Sequence, residues 1–243
     1  MGRWRAGGLL ATRVRSVVEV TGRMREIALA GPGLPRARTG AHVVVHVPDA
    51  DGSVARRVYS LWRCGDSSWT IRVALHDKGG PGCAWAGHVT AGDRITVEPP
   101  RVKITLDATA AFHVFVGDDT GAVPLLAMRA ALPRTAVALG IFESAGADDE
   151  VPGFDGVAGL PWVHRGAASA VGSRVLLRAV QELELPAGSG AAYVAGETET
   201  CRLLQRHFVE QRGWSRRAVR VQPQWARGRP GFGTGPDTPV IVP

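Results

Sequence analysis

Short runs in which apolar and polar residues alternate dominate the first hundred positions of this 243-residue chain: 13–20, 25–30, 42–47, 57–61, 69–76 and 94–98. They are rich in Val, Ile and Thr and are punctuated by Gly, Pro and Asp, the signature of a small antiparallel barrel. One helix interrupts them at Pro81–His88, because Pro in a first turn after Gly79-Gly80 is a start signal. From Phe112 onward the period changes. Apolar strands at 112–117, 136–142, 161–164 and 191–195 alternate with helical stretches at 122–132, 174–183 and 201–211. Strand–helix alternation predicts a parallel sheet with helices on both faces. The predicted organisation is a β-barrel over 1–108, an α/β domain over 109–230, and an extended or disordered tail over 231–243, where Gly and Pro are frequent and periodicity is lost.

Composition narrows the function classes. No apolar run approaches a membrane span, and Leu9-Leu10-Ala11 is too short for a signal-peptide core, so the reading is cytoplasmic, without membrane insertion. Three scattered cysteines, Cys64, Cys83 and Cys201, argue against a disulfide framework. The net charge of +7 comes from arginines spread along the chain, since the only lysines are Lys78 and Lys103. With no nucleic-acid motif, that charge fits an anionic small molecule and no nucleic acid is expected. The seven histidines show no metal-ligating spacing, so no metal is expected, and no nucleophile elbow marks a hydrolase. Oligomeric state is not readable.

Four segments carry candidate chemistry. Arg57-Val58-Tyr59-Ser60 offers a cation, an aromatic face and a hydroxyl on one strand; alone, it also fits an edge strand with a surface Arg and a core Tyr. His76 through Trp85 includes Gly80, Gly82 and Cys83, a Gly-rich entry to a helix that presents free amides to a diphosphate. Val116 to Pro124 places Asp119 and Thr120 between a strand and a helix, where nucleotide phosphates bind in parallel sheets. Gly196-Glu197 and Trp225 complete the set.

Arg-x-Tyr-Ser resembles the flavin signature of the ferredoxin-reductase superfamily. The order of all four segments, over about residues 12–229, is similar to that of the siderophore-interacting protein family. The resemblance implies FAD held by Arg57, Val58, Tyr59, Ser60, His76, Gly80, Gly82, Cys83 and Trp85. It implies NADPH or NADH facing Asp119, Thr120 and Glu197, with Trp225 in the closing segment. It further implies hydride transfer to the flavin, then single electrons to a ferric siderophore. The chain departs from the family pattern at Cys83 for Ser, Val44 for Lys, Trp62 for Arg, Pro99-Pro100-Arg101-Val102 for Gly-Pro-Arg-Gly and Pro223-Gln224 for Gly-Tyr. Two alternatives therefore stay open: an FAD-binding member serving a biosynthetic pathway without ferric reduction, and a non-catalytic ligand-binding protein.

Overall fold

The computed structural model describes residues 8–76 and 79–229. Asp77, Lys78 and the predicted tail lie outside the described residues. The chain divides after Val102 into two compact units, where the sequence reading put the boundary at 108.

The first unit is a closed six-stranded antiparallel barrel: β1 (Leu10–Thr21), β2 (Met24–Ala30), β3 (Ala41–Pro48), β4 (Val54–Gly65), β5 (Ser68–Ala74) and β6 (Arg94–Val97). The strand order is β4-β5-β2-β1-β6-β3, and pairing of β3 with β4 closes the ring. Closure removes the open strand edges that otherwise invite association. The two-residue β7 (Arg101–Val102) adds beside β3. Val43, Val45 and Val47 of β3 face inward with Ile27, Leu29, Leu61, Trp69 and Ile71 to form the core. The alternation seen in sequence is therefore the inside–outside alternation of the barrel. Helix α1 (Pro81–His88) buries Trp85 and Ala86 in that core. The Arg25 guanidinium donates to the carbonyls of Ala86 at 3.0 Å and Gly87 at 2.8 Å, satisfying the helix C-terminus.

The second unit is a five-stranded parallel sheet of β8 (Phe112–Asp118), β9 (Val137–Ser144), β10 (Trp162–His164), β11 (Gly190–Glu197) and β12 (Val219–Trp225), in the order β10-β9-β8-β11-β12. The helices are α2 (Asp119–Ala130), α3 (Arg174–Gln181) and α4 (Thr198–Arg206), the last continued by a π turn at His207–Gln211. Strand order reverses between β8 and β11, so right-handed crossovers put α2 on one face and α3 and α4 on the other. Phe112, Val114, Val116, Ala192 and Val194 pack with Leu176, Val180, Leu204 and Phe208 on the α3–α4 face. Close approach elsewhere rests on glycine: a Cβ on Gly121 would stand 2.1 Å from the Ala195 carbonyl oxygen. No helix among the described residues is long and apolar enough to cross a membrane.

Candidate functional sites

In the barrel, β4 brings Arg57 and Tyr59 beneath the first turn of α1. A Cβ on Gly82 would lie 2.4 Å from the Tyr59 hydroxyl and 3.3 Å from Arg57 Cγ, so only glycine lets the helix sit this close. Tyr59 also meets Trp85, with ring centroids 6.1 Å apart and tilted. Burial pushes the Tyr59 phenol up, so the ring stays neutral. The chain enters α1 through Gly79 at φ 62° and Gly80 at φ 120°, backbone that only glycine adopts without strain. Gly80 occupies the cap and supplies no side-chain hydrogen bond. The Gly82 and Cys83 amides, in the first turn, have no intrahelical acceptor to bond, which leaves the positive end of the helix open to an anion.

Ser60 lies on the next position of β4, paired with His42, and is buried. Its Oγ has no hydrogen-bond partner among the described residues. A buried hydroxyl without a partner costs roughly 1–3 kcal/mol, a cost that a ligand atom would remove. Val58, between the two functional positions, pairs with Val44 and presents no polar group. His76 is exposed at the end of the β5 segment, and its carbonyl accepts the Gly79 amide at 3.1 Å. Cys83 Sγ donates to the Ala74 carbonyl at 3.6 Å, and burial raises its thiol. A thiol held protonated is a packing group, not a nucleophile. Gly80, Pro81, Ala84, Trp85 and His88 of α1 and its entry border a cleft of about 560 Å³ with Pro48–Ala50. An uncapped helix, a cation, an aromatic pair and an orphaned hydroxyl together fit the diphosphate and ring of a flavin dinucleotide.

In the second unit the predicted residues gather at the carboxyl ends of β8, β11 and β12. Their organiser is Asp118, which the sequence reading passed over for its neighbours. Asp118 Oδ1 accepts from the Thr120 hydroxyl at 2.6 Å and the Gly121 amide at 2.8 Å. Its Oδ2 accepts from the Glu197 amide and from Trp225 Nε1, both at 2.9 Å. One carboxylate thus caps α2 and ties β8 to β11 and β12. The signal for it in sequence was an Asp directly ahead of a helical stretch, the usual cap residue. Gly196 at φ 130° lets the chain pass Asp118, since a Cβ there would be 2.6 Å from its carboxyl carbon.

Glu197 caps α4, its Oε2 accepting from the Thr200 amide at 2.8 Å and the Gly172 amide at 3.3 Å. Asp119 bonds the Thr120 amide at 2.8 Å, and burial together with the charge of Asp118 pushes it up to about 7. Three further residues were not singled out in sequence. Glu143, at the end of β9, is fully buried, accepts from the Ser173 hydroxyl and stands 3.6 Å from Arg165. Burial raises its carboxyl, while Ser173 and Arg165 hold it down. A buried acid closing an apolar strand is the signal that marked it. Among the described residues no group of His, Cys, Asp and Glu has metal-binding geometry.

Residues 37–104 match the model of the siderophore-interacting FAD-binding domain, and residues 110–228 match that of the siderophore-interacting protein. The crystal structure of a siderophore utilization protein from T. fusca superposes with a TM-score of 0.79 at 27% identity, covering 92% of this chain and 95% of that one. The ferric vibriobactin reductase ViuB of Vibrio cholerae is 22% identical over 221 residues, 81% of this chain and 80% of that protein. The carnitine monooxygenase reductase subunit of Escherichia coli is 28% identical over 128 residues, which is 52% of this chain and only 40% of that protein.

Proposed function

The chain belongs to the siderophore-interacting protein family, and on that premise we propose that it is an FAD-dependent, NAD(P)H-consuming reductase of ferric siderophores. The observation that carries the flavin part is the uncapped first turn of α1 lying directly on Arg57 and Tyr59. Arg57 would neutralise the diphosphate, the amides of Gly82 and Cys83 would bond it, Tyr59 would pack on the isoalloxazine and Ser60 would donate to its ring edge. The apolar cleft beside α1 has room for a nucleoside. When bound, FAD supplies the chemistry: it takes a hydride from NAD(P)H and delivers the two electrons singly to two ferric ions, leaving a proton. No side chain is needed as acid or base for that transfer; this chain's task is to position and to exclude water. Asp119, Thr120, Glu197 and Trp225 belong to the nucleotide end.

A second reading is favoured by two positions where the family pattern has a cation. Val44 is buried, and Trp62 is buried beneath the Arg72 guanidinium, 3.6 Å from its ring centroid. Neither presents a charge to an anionic siderophore, which suits a member that passes electrons to another acceptor. The test is the absorption spectrum of the purified protein, then anaerobic stopped-flow mixing with NADH or NADPH, then ferric siderophores with a chelator that traps Fe(II). A yellow protein that NAD(P)H bleaches and a ferric siderophore restores, with two Fe(II) per NAD(P)H, supports ferric reduction. Bleaching that no ferric siderophore reverses supports the second reading. A colourless protein that takes up no FAD overturns both.

A further inference from the structure

Residues 103–111 follow the boundary at Val102 and lead into β8, and a buried pair of side chains fastens them to the second sheet. Tyr193 of β11 is fully buried, and its hydroxyl accepts from the Asp107 amide at 2.8 Å. The same hydroxyl lies 3.0 Å from Nδ1 of His113 on β8, which is buried too. The imidazole is stacked between Tyr193 and Phe115, with ring centroids 5.8 and 6.4 Å away. Arg220 of β12 holds the segment at a second point, bonding the Thr105 carbonyl and, at 2.7 Å, Asp107 Oδ2. Neither His113 nor Tyr193 takes part in the flavin or nucleotide contacts above.

A phenol has one hydrogen to give. Because the Asp107 amide donates to the Tyr193 oxygen, that hydrogen goes to His113 Nδ1, which is therefore unprotonated, with the ring hydrogen on Nε2. A proton added at Nδ1 would turn the imidazolium into a second donor aimed at the same oxygen. The tyrosine hydrogen would then lose its acceptor, since no other group bonds that hydroxyl among the described residues, and a charge would be buried between two aromatic rings.

The surroundings keep the ring neutral. Burial lowers the His113 pKa; the charge of Asp107 opposes this, and that of Arg220 adds to it. Its strand partners, Ala138 on β9 and Ala191 on β11, carry no charge. His113 alternates with Phe112 and Val114, which face α3 and α4, so it lies on the α2 side. Arg129 in the last turn of α2 is shifted by burial alone and by no neighbouring charge.

We propose that His113 and Tyr193 form an acid-sensitive latch: proton uptake by His113 displaces the Tyr193 hydroxyl from the Asp107 amide and releases residues 103–111 from the sheet. The sign follows from linkage. A histidine more easily protonated when unlatched holds the latch closed above its ordinary value of about 6.5 and loosens it as the pH falls below that. Asp107 stays ionised through this window, because hydrogen bonds from Thr109 hold its carboxyl below the usual range. Its bond to Arg220 therefore persists while the histidine changes.

The experiment is hydrogen exchange of the full chain, followed on the peptide spanning 103–111 at pH 7.5 and 5.5 and corrected for intrinsic exchange rates. Protection is expected to fall about fivefold or more between the two in the unaltered protein. In His113→Asn, whose side-chain carbonyl accepts from Tyr193 without titrating, the fall should stay under about twofold. Tyr193→Phe should leave the segment weakly protected at both values. Protection that does not change with pH, or that falls equally in His113→Asn, overturns the latch. Nitrogen NMR of the unaltered protein tests it without any variant. A bare Nδ1 at pH 7.5 and a titration midpoint below 6.5 support the latch, whereas a hydrogen on Nδ1 at pH 7.5 overturns it.

Discussion

Helices α1 and α2 each follow a strand in the chain, and both read in sequence as anion-binding turns, yet their N-termini are opposites. At α1 the cap is Gly80, which offers no side chain, and Gly82 in the first turn lies directly on Arg57 and Tyr59. At α2 the cap is Asp118, which takes the Gly121 amide itself and adds Asp119 beside it. The first terminus carries no side-chain anion of its own; the second already holds one. A helix N-terminus is a phosphate site only when the chain has not supplied the negative charge first.

Removing the internal anion should have the largest effect. Asp118→Ala strands the Glu197 and Gly121 amides and the Trp225 indole, and is expected to destabilise the second unit by about 3 kcal/mol in denaturant unfolding. A loss below about 1 kcal/mol would mean that Asp118 does not organise these strands. Removing the cation opposite the open terminus comes next: Arg57→Ala should weaken FAD by about 2 kcal/mol, roughly thirtyfold, in a fluorescence titration. An unchanged dissociation constant would remove α1 and Arg57 from the flavin site. Gly82→Ala separates packing from binding. Its methyl must displace the Tyr59 hydroxyl, so FAD affinity should fall by about 1 kcal/mol, more than the loss of stability read in denaturant unfolding. A large drop in stability with FAD affinity intact would reverse that assignment. The smallest change is expected for Cys83→Ser, since a hydroxyl donates better than a thiol; FAD affinity should hold or tighten within about 0.5 kcal/mol. Abolished turnover with FAD still bound would make the thiol catalytic.

The barrel was legible because alternation along β1 to β6 maps directly onto inside and outside, and Gly-Gly-Pro marked the start of α1 at Pro81. Strand β12 was not recognised as a strand. Gln222-Pro223-Gln224 breaks the β-like composition, and Pro is tolerated there because β12 lies at the sheet edge. The stretch predicted as one helix over 201–211 is α4 followed by a π turn, where Arg212 donates to His207 Nε2 at 2.8 Å and to the carbonyls that end α3. In the barrel the spacing of Arg57, Tyr59 and Gly82 carried its own chemistry. The role of Asp118 did not show, because its partners Glu197 and Trp225 are far away in sequence and only the parallel register brings them together. Glu143 and Arg165 were hidden for the same reason.

The strand order also governs when each part can exist as the chain is made. The barrel can close once β6 emerges, since β6 pairs with β1 and β3, so Arg57, Tyr59, Ser60 and α1 are in place within the first hundred positions. The second sheet works differently: β8 must wait for β11, and Asp118 receives its last partner only when Trp225 of β12 arrives. Long-range parallel pairing of this kind is slow to form and exposes an unpaired edge in the meantime. During synthesis the cluster around Asp118 is therefore the last element to assemble. A protease cutting before Trp225 would leave a chain with a closed barrel and Asp118 short of one partner.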